Sequence, residues 1–252
     1  MTKKLPITLH ADPEHTGLRL VVLLLTLVAF IVSYNVVQLV IGSFLPDYSV
    51  VLSCALAIPL GLLIVWIVEQ WLKRVWPSGR VIELHDTGLV ARTPEGENGR
   101  VVWDKNYSWL AWYFQLSGYP RGGRERRVSA KWYCLACQLQ QDEQRLVVYT
   151  FLPPAKATMW TKEKTVFGFE KIVMADVYEK GWRTRMGPPV RPEIPTEILA
   201  GKNGRYWLAE RRRWREGFEL TPSDFTLFME YVQSHIPGES PQASTAGREE
   251  IE

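Results

Sequence analysis

"LRLVVLLLTLVAFIVSYNVVQLVI", Leu18 to Ile41, is a run of 24 residues with a single charge, Arg19, at its edge. A helix needs about 20 apolar residues to cross a bilayer. A soluble helix of this length would show a polar face, and this run has none. Its apolar core is also far longer than that of a signal peptide. A second run, "YSVVLSCALAIPLGLLIVWIVEQWL", Tyr48 to Leu72, follows after only "GSFLPD" and has one acid, Glu69, near its far end. So short a connection forces a helical hairpin, with spans 18–41 and 48–72. Lys3, Lys4 and Arg19 flank one end of the pair, and Lys73, Arg74 and Arg80 the other, whereas the connection carries only Asp47. The excess of bases on the flanks predicts that both chain termini lie in the cytoplasm. Trp66, Trp71 and Trp76 cluster at the end of the second span, where aromatic rings suit the headgroup layer, beside Lys73 and Arg74. No acid or base falls at mid-span, so an ion path has no residue to use. Asn35, Gln38, Pro59 and Gly61 lie within the spans, and residues of this kind serve helix contacts.

Beyond the hairpin the composition is that of a soluble domain. From Lys73 to Ile236 there are 26 Lys or Arg against 19 Asp or Glu, a net of +7. The tail 237–252, "PGESPQASTAGREEIE", nets −3, lacks large apolar residues apart from one Ile, and is expected to be disordered. The predicted organisation is a cytoplasmic segment 1–17, the hairpin 18–72, a domain over 80–236 and the tail.

The domain begins with strands. "RVIELHDTGLVART" predicts two strands joined by an Asp-containing tight turn. "GRVVWDKNYSWLAWYFQLS" predicts strands interrupted near Asp104–Asn106, and 126–153 a hairpin turning at "QQDEQ". Residues 165–182 read as a helix with Phe169, Ile172, Val173 and Val177 on one face. Residues 186–199 carry four prolines and read as a loop without regular structure. "GRYWLAERRRWREGFEL", 204–220, is compatible with strand or helix, and strand is the expectation taken. "TPSDFTLFMEYVQSHI" is the clearest element. Thr221 stands at the N-cap, Pro222 at the first helical position, and Phe225, Phe228, Met229 and Val232 recur at helical steps.

Two spans, a run of strands and one closing amphipathic helix resemble the bacterial membrane-anchored proteins with a pleckstrin-homology-like domain. The stretches that carry the resemblance are "RVIELHDTGLVART", "GRVVWDKNYSWL" and "ELTPSDFTLFMEYV". It implies an inner-membrane location and an α+β, mainly β cytoplasmic domain. That domain would be a bent antiparallel sheet or partly open barrel, capped by the C-terminal helix. Residues 155–203 exceed the plain pattern and read as an insertion.

Catalytic signals are few. Cys134-x-x-Cys137 has no second pair, and His10, His15, His85 and His235 show no metal spacing. A spacing of three on a strand puts the two thiols on opposite faces. Three cysteines in a reducing compartment do not build a disulfide framework. His85–Asp86 and Asp104 sit in turns. No nucleotide loop or nucleophile motif occurs, and no cofactor is expected. The basic stretches remain. "SGYPRGGRERRVSAKW", 117–132, holds Arg121, Arg124, Arg126, Arg127 and Lys131, and "RRRWR" holds Arg211, Arg212, Arg213 and Arg215. Each is a solvated surface or a docking face for anionic lipid or an acidic partner. Nucleic acid is disfavoured for a domain tethered beneath a membrane. The expected function is a non-enzymatic membrane protein whose domain mediates lipid or protein interaction, including contact with other membrane proteins or self-association. The alternatives are an accessory or assembly subunit of a larger membrane complex, and a membrane-bound redox or metal enzyme using Cys134 and Cys137.

Overall fold

The computed structural model describes residues 6–117, 119, 125–126, 128–161, 167–178 and 193–236. Two long helices dominate one end, α1 (Thr16–Phe44) and α2 (Ser49–Val75), joined by a 3₁₀ turn at Pro46–Tyr48. Both are long and apolar enough to cross a membrane. They meet through small side chains. Ala29 and Ser33 of α1 are buried, as are Ser53, Ala57, Gly61 and Val65 of α2, which recur at four-residue steps. Gly61 is required there, because a Cβ would stand 2.8 Å from the Phe30 ring. Many of the large apolar side chains elsewhere on the pair are exposed, among them Leu23, Leu27, Leu39, Val51 and Trp66.

The rest of the chain is sheet-rich. The first sheet has the order β1-β2-β3-β4, all antiparallel, from β1 (Ile7–His10), β2 (Val81–His85), β3 (Gly88–Thr93) and β4 (Gly96–Val102). The β2–β3 turn falls where Asp86 was expected to place it. Gly88 is obligatory, since a Cβ would lie 2.2 Å from the Val101 carbonyl. The second sheet has the order β8-β5-β6-β7-β9, from β5 (Ser108–Gln115), β6 (Tyr133–Gln141), β7 (Gln144–Leu152), β8 (Glu170–Lys171) and β9 (Phe218–Glu219). Its two short edge strands run parallel to their neighbours. These are two sheets and not a closed barrel.

β1 was not foreseen. The residues ahead of α1 pair with the strand that follows α2, Ile7 opposite Leu84 and His10 opposite Val81. The helical hairpin is therefore inserted between two neighbouring strands of one sheet, and Ile7–His10, from the segment ahead of the hairpin, belongs to the domain.

The helices pack on this frame: α3 (Pro154–Thr161), α4 (Thr196–Ala200), α5 (Gly204–Glu216) and α6 (Pro222–Gln233). α6 matches its sequence reading. The Thr221 hydroxyl accepts from the Asp224 amide at 3.2 Å, and Phe225, Phe228, Met229 and Val232 are buried. They share one core with Ile82, Leu84, Leu89 and Val101 of the first sheet and Leu135, Cys137, Leu139 and Val148 of the second. The opposite face of the second sheet forms another core. There Trp112, Phe114, Cys134, Tyr149 and Phe151 pack with Tyr206, Trp207 and Ala209 of α5. A sheet buried on both faces needs no polar alternation. That is why β6 and β7 read as continuous apolar runs.

Three expectations are corrected. Residues 204–216 form α5, not a strand, because burial at Tyr206, Trp207, Ala209, Glu210 and Arg213 follows the helical period against the sheet. The described part of 165–182 is no helix. Phe167 and Ile172 reach separate cores from either side of β8, and a 3₁₀ turn follows at Met174–Asp176. The proline-rich loop ends in α4 and not in irregular chain. The tail 237–252 lies outside the described residues.

Candidate functional site

The foot of the hairpin, where α1 and α2 meet the domain, gathers most of the charged side chains that matter. His15 caps α1, accepting the Leu18 amide at 3.3 Å, and bonds the Trp76 carbonyl at 3.1 Å. The chain thus enters and leaves the hairpin through one point. Lys73 pairs with Glu69 at 2.7 Å and Glu14 at 3.3 Å, while Arg74 is exposed. Trp66 and Trp71 are exposed on α2, and Trp76 packs edge-on against His15. A cavity of about 240 Å³ opens beside them, lined among others by His10, Lys73, Arg74, Thr221 and Asp224.

The basic loop attaches to this foot. Arg19, in the first turn of α1, donates to the Glu125 carbonyl and pairs with Glu14. Arg126 is pinned inward. Its amide donates to Glu219 at 2.9 Å, and its guanidinium lies 3.3 Å from the same carboxylate. Lys131 is exposed. Arg121, Arg124 and Arg127 lie outside the described residues. So the loop's described anchors sit against the helix that rises from the domain, and at least one of its bases serves the fold.

The second basic stretch divides as a helix must. Arg211 and Arg215 are exposed, and Arg212 donates to Gln138 at 3.1 Å. Arg213 is corrected outright as a docking residue, because its side chain is fully buried. It grips both oxygens of Glu210 at 2.7 and 2.8 Å, donates to Glu125 at 2.8 Å and to the Tyr119 hydroxyl, and lies over the Tyr149 ring at 4.4 Å. Burial works against its charge, but the flanking carboxylates outweigh that and hold it protonated. Glu210 also accepts from the Trp112 indole at 3.1 Å.

Two further pairs extend this buried network toward the hairpin. Arg80 bonds Asp12, donates to the Gly217 carbonyl at 3.1 Å and covers the Phe218 ring at 4.0 Å. Asp12 and Glu219 exchange backbone bonds, one to the Asp12 carboxylate at 3.1 Å. Burial pushes the Glu219 carboxyl up to about 8 despite Arg126. Sequence reasoning missed Asp12, Arg80, Tyr119, Glu125, Glu210 and Glu219. Only the three-residue step from Glu210 to Arg213 was available as a signal, and it needs the helix to be read first.

Comparison with protein-family models, curated proteins and solved structures finds no match. Cys134 and Cys137 lie in the two separate cores, on opposite faces of β6, and burial raises both thiols, Cys137 to about 12. They stay neutral thiols and cannot form a disulfide with each other. Among the described residues no group of His, Cys, Asp and Glu is arranged to hold a metal ion.

Proposed function

We propose that this chain is an integral membrane protein with both termini in the cytoplasm. Its pleckstrin-homology-like domain is held against the inner leaflet to contact anionic headgroups or an acidic partner. The observation that carries the reading is the pairing of β1 with β2 across the hairpin. Strands joined in one sheet lie on one side of any bilayer that α1 and α2 cross, and the bases on both flanks favour the cytoplasmic side. Further support comes from the antiparallel runs β1–β4 and β5–β7 followed by the closing helix α6, the order that the pleckstrin-homology resemblance implies. The link from Arg19 to Glu125 places the loop's anchor beside the root of α1. Each base within a Debye length of about 8 Å adds about 1 kcal/mol of attraction to an anionic surface. The bases assigned to docking are Arg121, Arg124, Arg127 and Lys131, with Arg211 and Arg215. Arg126 and Arg213 are reserved for the fold.

The test uses a soluble form that keeps β1. A truncation starting at residue 78 would delete β1 and Asp12. Joining His15 to Pro77 by a short Gly-Ser linker retains both, because His15 already bonds the carbonyl of the preceding Trp76. This domain should bind phosphatidylglycerol-containing vesicles, ignore pure phosphatidylcholine, and release as salt rises. Changing Arg121, Arg124, Arg127 and Lys131 to Gln should weaken binding at least about tenfold while the melting temperature holds. Equal binding by both forms would overturn the lipid reading. Loss of a co-purifying acidic protein instead would put the partner reading in its place.

A further inference from the structure

The membrane-exposed surface of α1 is not uniformly apolar. Asn35 is exposed there, and Gln38 is partly exposed one turn on. One Asn35 amide proton is used within the helix, Nδ2 donating to the Ile31 carbonyl at 2.8 Å. Its other N–H and its Oδ1 have no partner among the described residues, nor does the Gln38 side chain. In hydrocarbon no water can satisfy them. They are also not contacts to α2. Ser33 faces α2 and is buried, and Asn35, two residues on, is about 200° further round the helix.

These amides lie on a regular stripe. Leu24, Val28, Ile31, Asn35, Gln38 and Gly42 alternate steps of four and three, the spacing of a left-handed helix pair with one residue type per contact layer. Leu24, Val28 and Ile31 are 57%, 55% and 55% exposed. A Cβ at Gly42 would meet nothing within 4 Å, so a neighbouring backbone has room to approach there.

The geometry points to self-association of this chain through α1, with Asn35 and Gln38 hydrogen-bonding to the same residues of a second copy. The inference rests on the membrane reading above. The occupant follows from symmetry and chemistry. All copies insert in one orientation, so two α1 helices pair in parallel and Asn35 meets its twin at one depth. A primary amide carries both donor and acceptor, so a twofold-related pair satisfies itself. A polar residue on such a seam sets register and partner number.

The experiment uses the full chain in its membrane, with Cys54, the exposed native thiol, changed to Ala. Ile31→Cys on the stripe is compared with Val36→Cys off it, under copper-phenanthroline oxidation. The expected result is a disulfide-linked dimer of twice the chain mass for Ile31→Cys and little for Val36→Cys. Adding Asn35→Leu should lower the Ile31→Cys yield about three- to tenfold, and Asn35→Gln should preserve it. Equal cross-linking at both sites, a product of another mass, or a yield insensitive to Asn35→Leu would each overturn self-association while leaving the membrane reading intact. Release of the unmodified chain by alkaline carbonate would overturn the membrane reading, and the seam with it.

Discussion

The two faces of the second sheet are equally buried and differently built. One face, shared with the first sheet and α6, is closed mainly by apolar side chains, among them Leu135, Leu139, Val148, Phe225 and Phe228, and carries no charge; its buried polar groups, Thr150 and Gln141, bond to backbone carbonyls. The other, under α5, encloses Arg213, Glu210 and Glu125 beside Trp112 and Tyr149. The apolar face is held by area removed from water and tolerates imperfect fit. The charged face holds only while each charge keeps its partner, because an ion left alone in a dry site has no compensation. The position of that charged face explains its use. Through Glu125, Arg19, Asp12 and Arg80 it ties the loop, the strand β1 and the root of the hairpin into one body. It thereby holds the loop's anchor in place.

Arg213→Ala is expected to be the most damaging change to the charged face. It removes the counter-charge of two buried carboxylates and opens a cavity, and should lower stability by about 3–5 kcal/mol. Denaturant titration of the linker-joined domain, followed by tryptophan fluorescence, measures it. Arg213→Met fills the space but leaves the acids unpaired and should recover little. A loss below about 1 kcal/mol would mean that the network is solvated and the two faces are alike.

Phe225→Ala probes the apolar face and should cost about 3–4 kcal/mol in the same titration. Its cost should be the same at pH 5 and pH 8, because no titrating group loses a partner. An unchanged midpoint would place α6 outside the core.

A pH dependence carried by Glu219 probes the charged face without opening a cavity. Its carboxyl titrates near 8 in the fold and near the ordinary 4.5 when unfolded. The folded state therefore holds the proton more tightly. Stability from this group is complete below 4.5, falls as pH rises between 4.5 and 8, and is level above. Glu219→Gln should flatten that slope and gain on the wild type at pH 8 and not at pH 5. An unchanged slope would show that Arg126 keeps the carboxylate ionised throughout.

Some of this was legible in the residues. Lengths of apolar run are counted along the chain, so the two long helices needed no tertiary information. Turn chemistry and capping are local, so Asp86 with Gly88 placed a hairpin and Thr221 started α6. The three-residue step from Cys134 to Cys137 put the thiols on opposite faces by strand geometry alone. The candidate site was legible only as composition. A run such as "RRRWR" states how many bases there are, not which one faces inward.

What the tertiary structure decided depends on partners far apart in sequence. β1 is four residues long and becomes a strand only because Val81–His85 returns beside it after the hairpin. α5 is built mainly of helix-forming Arg, Glu, Leu and Ala with three aromatic residues among them, and which of its sides is buried is set by the sheet face it packs on. Arg213 turns from a surface base into a core residue because Glu125 arrives from another segment, 88 positions away, to meet it. Local propensity fixes conformations whose reasons lie within a turn or two. Burial of a charge is decided by whether a distant opposite charge can reach it, and no window along the chain contains that information.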